Sequence, residues 1–217
     1  IARSRKHIEK YYPETVEELG GFPVRKKPIS VTSPIDLKDR FMSYDRLNRE
    51  ISGYRLSLFK PSKYVYQKYR SLYEKDSVKQ FSQSNRETNL IGMMKVNFLK
   101  RLESSINSFS LTIERTIKKI EALEQQIGTF RQIILPNSEE ELQDIDLDDM
   151  EDEDLQAAMQ VGGKLVFQLK HIDVDEWLED LRHDKEQLNL IYTSAKDVTD
   201  ERDAKLDYLK QLILKKV

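Results

Sequence analysis

The sequence contains no cysteine, and it is poor in glycine (7 residues), proline (6) and tryptophan (1) over a length of 217 residues. Without cysteine there is no disulfide, no thiolate nucleophile and no cysteine-ligated zinc, and a reducing compartment such as the cytoplasm is expected. Few glycines and prolines, together with abundant Leu, Ile, Lys and Glu, favour long helices. We therefore expect an all-α protein.

Long apolar runs are also missing. No stretch reaches the roughly 18 residues that a membrane-spanning helix requires, so we expect no membrane contact. The chain begins with Ile1 in place of Met, and no charged and then apolar leader follows it. We expect this chain to be a segment of a longer protein.

The motifs of common active sites are absent from the sequence as well. The stretch "VGGKL" at 161–165 suggests a phosphate-binding loop, but Ala158 stands where the first glycine is required and Leu165 where a hydroxyl residue is required. No Ser-His-Asp arrangement is suggested locally, and the histidines lack the spacing of a zinc site. These are His7, His171 and His183. We expect no catalytic residue, metal or cofactor within this chain.

Charges of the two signs are unevenly distributed. Residues 1–132 contain 26 Lys and Arg against 15 Asp and Glu, whereas residues 133–217 contain 10 against 23. A basic surface for phosphates beside an acidic linker would give this pattern, and so would two solvated faces that attract each other. Charge alone does not choose between these two interpretations.

The acidic excess is concentrated in one block, where 11 of the 16 residues from Glu139 to Asp154 are acidic. The block resembles a calcium loop, but its sixth position is Asp149 where glycine is needed, and its twelfth is Leu155 where glutamate is needed. Such a block repels itself, so we interpret residues 136–161 as a disordered linker. The linker divides a helical module into an N-terminal part, 1–135, and a C-terminal part, 162–217.

Apolar spacing indicates one very long amphipathic helix. Over residues 85–131 apolar side chains recur about every 3.6 residues, and such a helix would span about 65 to 70 Å. One stripe of that length needs a partner helix, which residues 174–198 supply with Trp177 on their apolar face. The predicted architecture is a long antiparallel helical hairpin, or coiled coil, with shorter helices at its base. The shorter elements are helices at 35–55, 61–74 and 200–216 and short strands near 22–33 and 164–169.

Residues 60–75 interleave Lys, Arg and Tyr, a mixture that also occurs where tyrosines stack on nucleic-acid bases. Tyr66, Tyr69 and Tyr73 recur at helical spacing, however. We therefore favour packing in the core over base stacking for these rings.

Basic residues gather on one flank of the predicted long helix. At 100° per residue they fall within an arc of about 100°, roughly opposite the apolar stripe. Ordinary solvated surface is one explanation, but gathered like charges repel each other and a phosphate backbone would relieve that repulsion. The flank, which is our candidate for backbone contact, consists of Arg86, Lys100, Arg101, Arg115, Lys118 and Lys119.

Five segments, in chain order, resemble the bacterial Swi/Snf-type helicases of superfamily two. The closest match is "FLKRLESSINSF" (98–109), and "GGFPVRKKPI" (20–29) resembles an "FP.R" stretch of that family. The others are "ARSRKHI" (2–8), "YDRLNREI" (44–51) and "DAKLDYLKQLILKK" (203–216). They cover about half of the chain, and their common order is stronger evidence than any single motif.

The resemblance implies that the chain is the helical segment between the two ATPase lobes of such a motor, where protrusions lie near the DNA path. ATP and Mg would bind in the flanking lobes, and those lobes and DNA would be the partners. Matching to an arginine pair of the family makes Arg3 and Arg5 candidates for an interlobe or phosphate contact, followed by Lys100 and Arg101. The alternative is a coiled-coil scaffold that dimerises or holds another protein.

Overall fold

The computed structural model describes residues 4–22, 27–28, 30–73, 82–132, 141–142 and 167–215. The chain divides between Thr32 and Ser33 into two units. The described residues are mostly helical, which confirms the fold class expected from composition.

The first unit contains two short helices, α1 (Arg5–Tyr11) and α2 (Pro13–Glu18). Pro13 lies in the first turn of α2, where its missing N–H is no loss. Gly20 and Gly21 both have positive φ, and the Gly21 N–H returns to the Val16 carbonyl at 2.8 Å to end the helix.

Six helices lie in the described part of the second unit. They are α3 (Tyr44–Gly53), α4 (Arg70–Tyr73), α5 (Gln83–Ser104), α6 (Ile106–Gln132), α7 (Val174–Lys196) and α8 (Ala204–Leu214). Single 3₁₀ turns occur at Ser57–Phe59, Pro61–Tyr64, Gln67–Tyr69 and Leu169–His171. Two-residue strands β1 (Glu141–Leu142) and β2 (Phe167–Gln168) pair antiparallel, Glu141 opposite Gln168.

The core is built mainly where α6 packs against α7. The two helices run in opposite directions, because the last turn of α6 reaches the first turn of α7 through the Arg131–Asp175 ion pair, whereas Glu124 pairs with Lys185 further along. Their buried apolar side chains recur at helical spacing. On α6 these include Phe109, Ile113, Ile120 and Ile127, and on α7 they include Trp177, Leu181, Leu188 and Ile191.

The single long helix predicted over 85–131 is wrong, because the chain turns a corner at Ser105. This residue is extended (φ −161°, ψ 153°), its N–H bonds the Arg101 carbonyl, and its Oγ accepts the Ser108 N–H at 2.9 Å. It therefore ends α5 and caps α6.

Because the chain reverses direction at Ser105, α5 and α6 lie beside each other. Lys95 on α5 lies near enough to Asp184 on α7 to interact with it electrostatically, and the next residue on α7, Lys185, reaches Glu124 on α6. Residues 95 and 124 would be over 40 Å apart along one straight helix, at about 1.5 Å per residue. Helices α5 and α7 therefore both pack along α6, and the apolar stripe of the sequence faces inward from both α5 and α6.

Two shorter predicted helices also differ from the structure. The helix predicted over 35–55 begins only at Tyr44, where the Ser43 side chain accepts the Arg46 N–H, because residues 36–41 wrap around the Asp36 carboxylate. Of the helix predicted over 61–74, residues 61–73 are described, and they form two 3₁₀ turns and the single α-turn α4, because Val65 forms a bridge with Ile172.

The remaining elements match the predictions more closely. The helix predicted over 174–198 is α7, and the one predicted over 200–216 is α8. The strand expected near 164–169 is β2, whereas residues 27–28 and 30–33 form no strand and 23–26 and 29 lie outside the described residues. Of the predicted linker 136–161 only Glu141–Leu142 is described, as β1, so the proposed division at that linker stays a prediction.

A loop at 54–64 is fixed to α7 through buried polar groups. Asp184, whose residue exposure is 1%, accepts the backbone N–H of Leu56 at 3.2 Å and of Ser57 at 2.6 Å. Leu56 is in the left-handed region (φ 53°), which costs energy for a residue with a side chain. The indole N–H of Trp177 bonds the Ser57 carbonyl at 3.0 Å, so the Leu56 N–H, the Ser57 N–H and the Ser57 carbonyl all have partners on α7.

Replacing Asp184 should therefore destabilise the second unit strongly. Asp184→Ala leaves two buried N–H groups without an acceptor, and we expect the free energy of unfolding to fall by about 2 to 4 kcal/mol. Asp184→Asn keeps one acceptor oxygen and should lose less. Urea titration followed by the fluorescence of Trp177, which is fully buried and is the one tryptophan, measures both.

The matched control is Asp175→Ala on the same helix. The Asp175 side chain is 84% exposed and forms a surface ion pair, so its removal should cost less than about 1 kcal/mol. Equal losses for Asp184→Ala and Asp175→Ala would show that the buried carboxylate does not hold the loop.

Candidate nucleic-acid interface

The basic residues predicted on α6 lie on its outer side. Lys118 is exposed and forms an ion pair at 3.0 Å with Glu114, one turn away on the same helix. The ammonium group of Lys196 on α7 also attracts the Glu114 carboxylate. Arg115 is exposed and Lys119 is partly exposed, and both have interaction partners. This surface therefore carries more cations than carboxylates, although Glu114 neutralises part of it.

The remaining basic residues of the flank lie on α5, and the corner at Ser105 separates them from those on α6. Lys100 is exposed close to the corner, whereas Arg101 is partly buried and its Nε donates to the Asn97 Oδ1 at 3.2 Å. Arg86 lies in the first turn of α5, at the far end from the corner. The six residues therefore do not form the continuous flank that a straight helix would have presented.

Of the two N-terminal arginines, only Arg5 is described, and Arg3 lies outside the described residues. Arg5 belongs to α1 in the first unit, where its Nε lies 3.9 Å from a carboxylate oxygen of Glu9 and its guanidinium lies 4.7 Å from the centre of the Phe22 ring. These contacts hold it within its own unit.

The corner between α5 and α6 collects residues from distant parts of the sequence. The Tyr44 hydroxyl donates to a carboxylate oxygen of Glu103 at 3.1 Å, and the Lys205 ammonium donates to the backbone carbonyl of Glu103. Tyr44 belongs to "YDRLNREI", Glu103 to "FLKRLESSINSF" and Lys205 to "DAKLDYLKQLILKK". Three of the five segments on which the family resemblance rests therefore meet at one point of the structure.

Asp36 lies at the same end of the second unit, and it is only 2% exposed. Its carboxylate accepts the Nε of Arg202 at 3.1 Å and the backbone N–H groups of Lys38, Arg40 and Phe41 at 2.9 to 3.1 Å. The Arg202 guanidinium, and then these N–H groups, outweigh the effect of burial and hold the pKa of Asp36 well below its ordinary value of 3.8. Asp36 is thus an ionised anchor for the segment before α8 and not a proton donor.

Two further buried carboxylates bind the 54–64 loop. Burial opposes ionisation of Asp180, but hydrogen bonds from Lys63 at 2.5 Å and Tyr64 at 2.7 Å still lower its pKa. Burial raises the pKa of Glu87, which accepts the Ser62 backbone N–H at 3.3 Å and the Gln83 amide at 2.9 Å. Both carboxylates have structural partners, which favours a structural role over a catalytic one.

The tyrosines of segment 60–75 that the structure describes pack mostly inside the molecule. Tyr64 is buried against Trp177, Tyr69 stacks on His171 with ring centres 3.9 Å apart, and Tyr73 stacks on Phe167. Packing is therefore confirmed for Tyr69 and Tyr73. Tyr66 is the exception, since it is 42% exposed.

A shallow polar groove runs along the outer side of α7. Positive and negative groups alternate in its lining, so it does not offer a surface of one charge to a phosphate chain. It is lined by Arg131, Asp175, Leu178, Glu179, Arg182, His183 and Glu186. Among the residues that the structure describes, no group of three or more His, Asp or Glu side chains could hold a metal ion, and no helix could cross a membrane.

Comparison with protein-family models, with curated proteins and with solved structures found no match for this chain. The functional interpretation therefore rests on the residues of this chain and their contacts.

The Asp36 cluster predicts how stability depends on pH. The folded-state pKa of Asp36 is depressed. Its contribution to the free energy of unfolding is therefore fully present above its ordinary pKa of 3.8 and is lost as the pH falls below that value. Asp36→Asn removes this contribution. Between pH 6 and pH 3 the variant should lose about 1 kcal/mol less unfolding free energy than the wild type, measured by urea titration.

Asp39→Asn is the matched control, because Asp39 is an exposed carboxylate of the same segment. It should keep the pH dependence of the wild type. If Asp36→Asn also kept it, the Asp36–Arg202 pair would not be the source of the acid sensitivity.

Proposed function

We propose that the chain is a helical module of an ATP-dependent DNA helicase or translocase, which links the two motor lobes and contacts the nucleic-acid backbone. The observation that carries the proposal is the meeting of Tyr44, Glu103 and Lys205 at the corner. These residues are 59 and 102 positions apart in the sequence, and each belongs to a segment that resembles the same helicase family. A shared structural junction is a physical reason for such segments to occur together.

In this proposal α6 and α7 form the antiparallel helical hairpin of the module. At about 1.5 Å per residue, the 27 residues of α6 span about 40 Å, which is shorter than the single helix that the sequence predicts. The hairpin is stiffened by α5 along one side and by the 54–64 loop, which is fixed to α7. A stiff element of this kind can transmit the movement of one lobe to the other.

The nucleic-acid contact is assigned to the outer side of α6, with Lys100 and Arg101 near the corner as further candidates. Contacts from Arg115, Lys118 and Lys119 to phosphates would be independent of base sequence and sensitive to salt. ATP and Mg bind, in this proposal, in the flanking lobes and not in this chain. The proposal also includes a cytoplasmic location, which the absence of cysteine supports.

A dimerisation or protein-interaction scaffold is the second candidate function. It is favoured by α8, whose apolar side chains are largely uncovered: Tyr208, Leu209, Ile213 and Leu214 are 38 to 76% exposed. Exposed apolar residues on one short helix are typical of a protein contact. Sedimentation over a range of concentrations separates the candidates, because the scaffold predicts dimers and no salt-sensitive DNA affinity.

The proposed DNA contact predicts a measurable salt dependence. The variant Arg115→Gln/Lys118→Gln/Lys119→Gln should bind a random duplex more weakly than the wild type at 50 mM salt. Its slope of log affinity against log salt should be smaller by about 3, since each phosphate contact contributes about one unit. Fluorescence anisotropy with duplexes of two unrelated sequences measures both, and the two sequences should give equal affinities.

The control variant is Arg46→Gln/Lys210→Gln/Lys215→Gln, which removes the same charge from exposed residues outside the predicted set. It should bind within about twofold of the wild type, since nonspecific attraction by net charge is weak compared with direct phosphate contacts. Equal losses in the two variants, or a wild-type affinity that does not depend on salt, would refute the α6 contact.

A further inference from the structure

Lys196, the last residue of α7, lies beside the basic side of α6. The two helices are antiparallel, and the ion pair between Glu124 and Lys185 fixes their alignment. Glu114 lies ten residues before Glu124 on α6. Its level on α7 is therefore ten residues after Lys185, at Ala195 and next to Lys196. The packing of the helices thus brings a lysine of α7 to a carboxylate of α6.

A hydrogen-bonded chain joins the two helices at this level. The Lys196 Nζ donates to the Tyr192 hydroxyl at 3.0 Å and lies 5.2 Å from the centre of its ring. Tyr192 packs against the core, and its hydroxyl bonds the Glu114 carboxylate, which also pairs with Lys118 at 3.0 Å. An ammonium group can only donate and a carboxylate can only accept. The Tyr192 hydroxyl therefore accepts from Lys196 and donates to Glu114.

The charges in this chain act on one another. The hydrogen bond from Lys118, and then the charges of Lys118 and Lys196, lower the pKa of Glu114. In the other direction, Tyr192 and then Glu114 raise the pKa of Lys196. Asp197 follows Lys196 in the chain, but successive residues on a helix point about 100° apart. Glu114 is therefore an anion shared by two lysines on different helices.

Glu114 also lies between the basic residues of α6 and Lys196. At 100° per residue, Lys118 lies about 60° around α6 from Arg115 and about 40° from Glu114 on the other side. The surface therefore runs from Arg115 through Lys118 to Glu114, and across the helix boundary to Lys196. Without the carboxylate, this surface would be basic across both helices.

We propose that Lys196 is a further phosphate contact of the duplex-binding surface on α6, and that Glu114 competes with phosphate for Lys118 and Lys196. The inference rests on the proposed function, because it deepens the α6 contact. When a duplex binds, a backbone phosphate takes the place of the carboxylate, so the lysines exchange one anion for another. Such an exchange lowers the affinity and suits a surface that releases and rebinds the backbone as a motor moves.

Removal of the competing charge should strengthen binding. Glu114→Gln should bind a random duplex roughly fivefold or more tightly than the wild type at 50 mM salt, because the phosphate no longer displaces an anion. Fluorescence anisotropy measures the affinity. The control Glu186→Gln makes the same change of net charge at an exposed position in the polar groove of α7. It should bind within about twofold of the wild type.

Removal of the added contact should change the salt dependence. Lys196→Gln should reduce the slope of log affinity against log salt by about 1, equally for two duplexes of unrelated sequence. The control Lys210→Gln removes an exposed lysine of α8 and should leave the slope unchanged. Urea titration followed by Trp177 fluorescence shows whether each variant is folded and whether Glu114 stabilises the contact between the helices.

The outcomes separate this inference from the proposed function. If the wild-type affinity does not depend on salt, the α6 contact fails and the inference fails with it. If Arg115→Gln/Lys118→Gln/Lys119→Gln weakens binding but Lys196→Gln keeps the wild-type slope, the α6 contact stands and Lys196 is not part of it. If Glu114→Gln loses stability and gains no affinity, the carboxylate only joins the two helices, and the proposed competition is overturned.

Discussion

The acceptance of two backbone N–H groups by Asp184 is the constraint on which the second unit depends. Burying a carboxyl group is costly unless hydrogen-bond donors surround it, and the strained turn at Leu56 and Ser57 supplies those donors. The strained turn is tolerated because α7 provides hydrogen-bond partners for its backbone groups. Glu87 fixes the next part of the same loop to α5, so the loop joins two helices that are not consecutive in the chain. These polar contacts fix the loop between α5 and α7, and both helices pack their apolar side chains against α6.

The sequence predicts α7 well and the α5–α6 region poorly, for one physical reason. Apolar periodicity reports which face of a helix is buried, but not whether the helix is continuous. When α5 folds back at Ser105, its stripe and that of α6 face the same core, so the pattern is the same as for a straight helix. The local signal was the Ser104-Ser105 pair, since serine favours helix ends and Ser105 caps α6. A periodic pattern with no competing cap, as over α7, was sufficient by itself.

The candidate sites likewise include features that the sequence predicts and features that it does not. The basic residues of α6 could be found from sequence because exposure of a charged helical face is a local property. The partners of the buried carboxylates could not, because Asp180 and Asp184 bind residues more than 115 positions away. Their positions contained a clue, since both fall on the apolar face of α7 near Trp177 and Leu181, where an aspartate requires buried donors. The stacking of Tyr69 on His171 likewise exists only once Val65 pairs with Ile172.

The two ends of α7 therefore differ in what they can do. At the corner, the start of α8 and the residues just before it are joined to the rest of the second unit by several contacts. They include the Arg202–Asp36 ion pair, the bridge between Asp36 and Asp203, and the hydrogen bond from Lys205 to the Glu103 carbonyl. That carbonyl is among the last of α5 and lacks a helical partner, so a lysine there complements both the hydrogen bonding and the helix dipole. In the proposed motor, a displacement of α8 would act first on these contacts. Helices α5, α6 and α7 would then transmit the displacement to the opposite end of the second unit.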